Sequence, residues 1–208
     1  MKYSRMLAMY LIAMASIANA TELPQDVTVM VDLSTDNGAI SAVNVSKKAE
    51  AVADLIAGLH LKYGDTITLI GLGSKGWDQT YGLAYRGLQP KAAPQLIADQ
   101  ISSLGDEGRA AADGTDVVWA IERLKTSCDT RKTTVVVVSD MIRSGSTDGT
   151  TSFTLEGVPG VPHKGCDKIV FLGVGEGSHY PKAVTRAAEA VITDLGEMMG
   201  FNHVDIQH

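Results

Sequence analysis

The 208-residue sequence has little cysteine, no basic cluster and only one long hydrophobic run, and each shortage removes a class of protein. Its two cysteines, Cys128 and Cys166, cannot build a structural zinc site alone, and neither sits in a CxxC motif. The five histidines, His60, His163, His179, His203 and His208, show no paired spacing, which sets aside a histidine metal centre and gives them surface roles. Acidic residues outnumber basic ones, 24 to 18, with no Lys/Arg cluster, so neither nucleic acid nor an anionic lipid surface is a suitable partner. No internal repeat is visible.

The hydrophobic run lies at the start. Residues 1–20 carry Lys2 and Arg5, then "MLAMYLIAMASIA", then the small-x-small triplet Ala18-Asn19-Ala20. This is the pattern of a secretory signal peptide cut after Ala20, too short to span a bilayer comfortably. The alternative is an uncleaved anchor helix. With no cysteine at the cleavage site a lipoprotein is disfavoured, and no later segment reaches membrane-spanning length. The expected mature chain, 21–208, therefore enters no membrane and lies in the periplasm or outside the cell. It has 188 residues, 16 basic and 24 acidic, net −8. That length suits one domain able to bury roughly 70% of its unfolded surface without a metal or disulfide. Two cysteines in an oxidising compartment point to a Cys128–Cys166 disulfide, the alternative being two buried thiols. Each precedes an apolar strand pattern, so both should fall at the amino ends of neighbouring strands.

The rest alternates strand and helix patterns. Residues 27–33 form an apolar strand, and residues 41–63 show helical three-and-four spacing at Val45, Ala49, Val52, Ala53, Ile56 and Leu59, with Gly64 as the stop. "DTITLIGLG" is a second strand, with "QTYGLAYRG" pairing with it as an edge hairpin. Helices follow at "AAPQLIADQISSLG" and "GTDVVWAIERLKTSC", the latter carrying Trp119 and Ile121 as core residues. "TTVVVVSD" and "DKIVFLGVG" are continuously apolar, as parallel strands covered on both faces are. Between them, residues 143–166 form a Gly/Ser/Thr/Pro-rich loop. A helix over residues 180–200 and a short strand in "FNHVDIQH" close the chain. The expectation is an α/β fold, doubly wound, with a mostly parallel sheet flanked by helices.

"GLGSKG", with Gly71, Gly73 and Gly76, matches a dinucleotide fingerprint, but the fingerprint needs a helix to begin there. The following "WDQTYGLAY" is strand-like, so the glycines shape a hairpin loop, and Trp77 and Tyr81 pack in it or form a contact patch.

More telling is the abrupt end of "VTVMVDLSTDNG" in Asp32, Ser34, Thr35 and Asp36. Ligands of open α/β sheets bind outside the carboxyl ends of the strands. Asp32 to Asp36 follow the first strand, Ser139 and Asp140 follow "VVVV", and Gly114-Thr115-Asp116 opens a helix. Hard oxygen donors without histidine or thiolate suit Mg²⁺, Ca²⁺ or Mn²⁺. Ser34, Asp36 and Thr115 are also preferred helix N-caps, the competing explanation for each alone.

The combination Asp32-x-Ser34-x-Asp36, Thr115 and Asp140 resembles the von Willebrand factor A domain and its metal-ion-dependent adhesion site, over roughly residues 25–200. The resemblance implies a doubly wound, Rossmann-like domain with Asp32, Ser34, Thr115 and Asp140 at ligand positions. Asp36 stands where that family usually has a second serine; it remains an oxygen donor but adds a negative charge. The resemblance further implies a divalent cation doing no chemistry, which keeps one position open for a carboxylate from a partner protein. The expected function is thus a secreted or periplasmic, metal-dependent adhesion or assembly module. Alternatives are a metal-dependent phosphoesterase using Asp32, Asp36 and Asp140, which lacks an evident general base, and a structural subunit with a degenerate, metal-free site. The oligomeric state is not legible.

Overall fold

In a computed structural model the described residues are 22–32, 42–72, 82–86, 91–107, 117–141, 161–175 and 182–208. Among them are six strands: β1 (Gln25–Asp32), β2 (Thr66–Leu72), β3 (Gly82–Arg86), β4 (Lys132–Val138), β5 (Lys168–Leu172) and β6 (His203–Gln207). Four helices accompany them: α1 (Ala42–Gly58), α2 (Ala93–Glu107), α3 (Val117–Arg123) and α4 (Lys182–Met199). The strands form one sheet in the order β3-β2-β1-β4-β5-β6. Five run parallel, and only the edge strand β3 runs antiparallel, against β2. The fold is α/β and doubly wound, as the alternating pattern implies.

The period-two geometry of strands divides the apolar residues between two cores. Val27, Val29 and Val31 of β1, Val136 and Val138 of β4, and Val170 and Leu172 of β5 face one side, against Ala49, Val52 and Ile56 of α1 and Ile97 and Ile101 of α2. Met30, Val135, Val137, Ile169 and Phe171 face the other, against Ile121 of α3 and Ala188, Ile192 and Leu195 of α4. Each fully buried aliphatic side chain contributes about 1.5–3 kcal/mol relative to exposure, so neither helical layer is expendable. The runs "VVVV" and "IVFL" are apolar without alternation because both faces are covered.

Connectivity explains the helix placement. From β1 the chain steps outward to β2 and β3, then returns past β1 and steps the opposite way through β4, β5 and β6. Crossovers of one hand put helices on opposite faces when the direction of travel reverses. The reversal lies between β1 and β4, which pair in register from Gln25 with Lys132 to Val31 with Val138.

Three local expectations need correction. The helix α1 ends at Gly58, not Gly64: the amides of Leu59 and His60 bond back to Ile56 and Ala57, and His60 takes the left-handed conformation at φ 51° that ends a helix. Gly64 (φ 98°) instead shapes the turn into β2. Among the described residues of "GTDVVWAIERLKTSC", which begin at Val117, the helix ends at Arg123; residues 124–127 are irregular and carry the chain toward β4. His163 is fully buried rather than a surface residue.

Candidate metal centre

Because Val31 lies opposite Val138, Asp32 is level with Ser139, and Asp140 is one residue further on. Asp32 thus ends β1 and Asp140 lies two residues past the end of the adjacent parallel strand β4, at the point where strand order reverses, the place where such sheets open a crevice. Both are buried, at 7% and 5% exposure, and Ser139 between them is 1% exposed. Parity along the strands decides the contacts: Asp32 continues the face of Met30, and Ser139 that of Val137. The Ser139 hydroxyl donates to Asp32 Oδ2 at 2.8 Å, and the Met141 amide donates to Ser139 Oγ at 3.0 Å. The backbone around Asp140 is held independently, its carbonyl accepting from the Gly175 amide at 2.9 Å in the turn after β5.

Ser34, Asp36 and Thr115 lie outside the described residues, as do residues 1–20, Trp77 and Tyr81. Among the described residues no group of three His, Cys, Asp or Glu side chains is placed to hold a metal ion. The described part of the site is therefore two carboxylates and one hydroxyl. As a donor set it fits a hard divalent cation, since it is all oxygen and sits at the sheet's reversal point. Ser139 is the residue that ligand-pattern reasoning left out. Its signal was present in "SD": a serine one residue before an acidic strand end, beside another strand ending in Asp.

The opposite, amino edge of the sheet is organised differently. Cys128 and Cys166 are joined, with Cα atoms 4.7 Å apart and 38 residues of separation, just before β4 and β5. Beside them His163 tilts against Phe201, their ring centroids 5.0 Å apart. Its Nε2 lies 2.7 Å from the Ile121 carbonyl and its Nδ1 3.2 Å from the Thr126 hydroxyl. A carbonyl only accepts, so Nε2 carries the proton and Nδ1 accepts from Thr126. Burial pushes the His163 pKa below its ordinary value, with the Ile121 carbonyl opposing. On α3, Ile121 is buried as expected, whereas Trp119 is only partly buried and carries the Arg123 guanidinium 4.1 Å from its ring centroid.

Solved structures place this architecture among known proteins. BatB from Bacteroides thetaiotaomicron is similar over 88% of this chain and 90% of that one, at 13% identity and a TM-score of 0.51. The chain shares that fold. The pilus adhesin SpaC from Lactobacillus rhamnosus GG, in its open conformation, is similar over 89% of this chain but 28% of its own, at 14% identity and a TM-score of 0.48. A von Willebrand factor type A protein from Catenulispora acidiphila follows at 13% identity, covering 90% of this chain and 39% of its own, with a TM-score of 0.41. Scores below 0.5 carry no argument, and at 13% identity BatB speaks for the fold alone. No protein-family model matches the sequence, and neither does any curated protein.

Proposed function

We propose that residues 21–208 form an exported protein-binding module whose carboxyl-edge loops hold a divalent cation, Mg²⁺, Ca²⁺ or Mn²⁺, with one position open to a partner's carboxylate. The observation that carries this reading is that Asp32 and Asp140 are both buried and lie at the carboxyl ends of the adjacent strands β1 and β4, where strand order reverses. In sequence, Ser34 and Asp36 follow β1 and Thr115 precedes α3, and in this reading they complete the donor set. Carboxylates gathered 4 Å apart repel by about 4 kcal/mol per pair at an effective dielectric near 20, which a cation relieves. A bound cation would supply a bridge to the partner, and Asp32 and Asp140 would help to hold it.

Export is supported by the signal-like residues 1–20 and by the disulfide, which persists in oxidising compartments. Among the described residues no helix is long and apolar enough to cross a membrane. The net charge of −8 for residues 21–208 favours a partner whose acidic group is set in a basic surface. A phosphoesterase gains no support from His163, the buried histidine among the described residues, which sits at the amino edge with both ring nitrogens engaged.

Titration of Mg²⁺, Ca²⁺ and Mn²⁺ by calorimetry, followed by pull-downs with and without chelator, tests the reading. Asp32→Ala and Asp140→Ala should lose both cation and partner. Asp36→Ser should weaken the cation but strengthen the partner, because a less neutralised ion attracts an outside carboxylate more. Thr115→Ala should harm partner binding more than folding. No heat with any of the three ions would refute a cation site.

A further inference from the structure

We propose that Ser139 is a positioning residue for this site: its hydroxyl ties Asp32 to the end of β4, fixing the carboxylate of β1 before an ion arrives. The inference rests on the cation reading and extends it to a residue outside the five ligand positions.

A serine hydroxyl has one proton and two acceptor lone pairs. The Met141 amide occupies one lone pair at 3.0 Å, which settles the orientation of the hydroxyl. An ionised carboxylate only accepts, so the remaining proton is directed to Asp32 Oδ2, 2.8 Å away. The group is sealed, with Ser139 1% exposed, so water does not compete for the bond. The backbone is shaped around it. Met141 sits at φ 56°, a left-handed conformation that a side chain such as methionine seldom adopts, and in this conformation its amide meets Ser139 Oγ. Backbone strain of this kind persists only where surrounding contacts over-determine it. Those contacts are present: Met141 is 2% exposed within the α3/α4 core, and the Asp140 carbonyl is held by the Gly175 amide. The end of β4 is thus fixed from the β5 side by Gly175 and reaches the β1 side through Ser139. Partners that orient ligands in this way govern metal affinity without touching the metal.

The competing role is purely structural, a serine that satisfies its own strand end. Two β-branched replacements of nearly equal shape separate the two: Ser139→Thr keeps the hydroxyl, and Ser139→Val replaces it with a methyl. Mn²⁺ affinity is measured by calorimetry well below the melting temperature, and melting is recorded separately in chelator. Val should weaken Mn²⁺ binding about 10- to 100-fold while Thr stays within about threefold of the parent. Val lowering only the chelator melting temperature, with Mn²⁺ affinity unchanged, would overturn the proposal and leave the cation reading intact. A parent protein that takes up no Mn²⁺ would instead overturn the cation reading, and the positioning role with it. Should Val fail to fold, Ser139→Ala removes the hydroxyl without adding bulk, and a parent-like Mn²⁺ affinity in it counts equally against the proposal.

Discussion

Reducing the Cys128–Cys166 bond isolates a cross-link without emptying the core around Cys166, since both sulfurs stay in place. The bond closes a loop of 38 residues. The chain-entropy treatment assigns about 3 kcal/mol to a 15-residue loop and about 4.7 to a 100-residue one, which gives about 4 kcal/mol here. With an m-value of about 2 kcal/mol/M, the urea midpoint should fall by about 2 M on reduction. The two cysteines lie at the amino edge and Asp32 and Asp140 at the carboxyl edge, separated by the length of β4, roughly 20 Å at about 3.3 Å per residue. Cation affinity well below the melting temperature should therefore survive reduction. The assay is a urea titration of oxidised and reduced protein, with thiols counted on unreduced, denatured chain. Two thiols in that count, or stabilities within about 1 kcal/mol of each other, would refute the reasoning.

Millimolar Mg²⁺, Ca²⁺ or Mn²⁺ should raise the melting temperature relative to chelator by mass action on the folded state, and an unchanged melting curve would speak against an intact site. Gly175→Ala should cost at least about 2 kcal/mol, because Gly175 holds φ 68° and a Cβ there would lie 2.6 Å from Thr185 Oγ1; chemical denaturation reads it directly. The pH dependence of His163 has a definite sign. The folded pKa is lowered from 6.5, so below that pH the unfolded chain takes up a proton that the folded one resists. Its contribution is intact above pH 6.5 and declines as pH falls toward the lowered value. In chelator, the loss of stability between pH 7.5 and 5 should be smaller in His163→Gln than in the parent, and equal losses would contradict the buried neutral imidazole.

The sheet was legible because strand and helix periods differ and because doubly covered strands lose their alternation: "VVVV" in β4 and "IVFL" in β5 betray a helix on each side. What escaped was decided by single residues. His60 ended α1 because one left-handed residue suffices to stop a helix, while the sequence offered the more permissive Gly64 downstream. The stretch "LKTSC" has helical composition but must lead the chain to the amino end of β4, and tertiary placement overrode propensity. His163 looked like a surface residue because histidine patterning carries no burial signal; only the fold sets Ile121 and Thr126 on either side of its ring. At the site, the placement of Asp32 and Asp140 follows from strand order, but the role of Ser139 follows from register and parity across 107 residues of chain, which no local pattern encodes.

The central position of β1 has a mechanical consequence. It is bonded on both sides by parallel ladders, to β2 from Asp26 to Asp32 and to β4 from Gln25 to Val31. A pull between the amino end of β1 and a partner gripping its carboxyl end at Asp32 would run along the strand. Both rows of hydrogen bonds would then be loaded in shear and would have to give way together, whereas a peeling force breaks them one at a time. The same pull on β6, an edge strand bonded only to β5, would meet half that resistance.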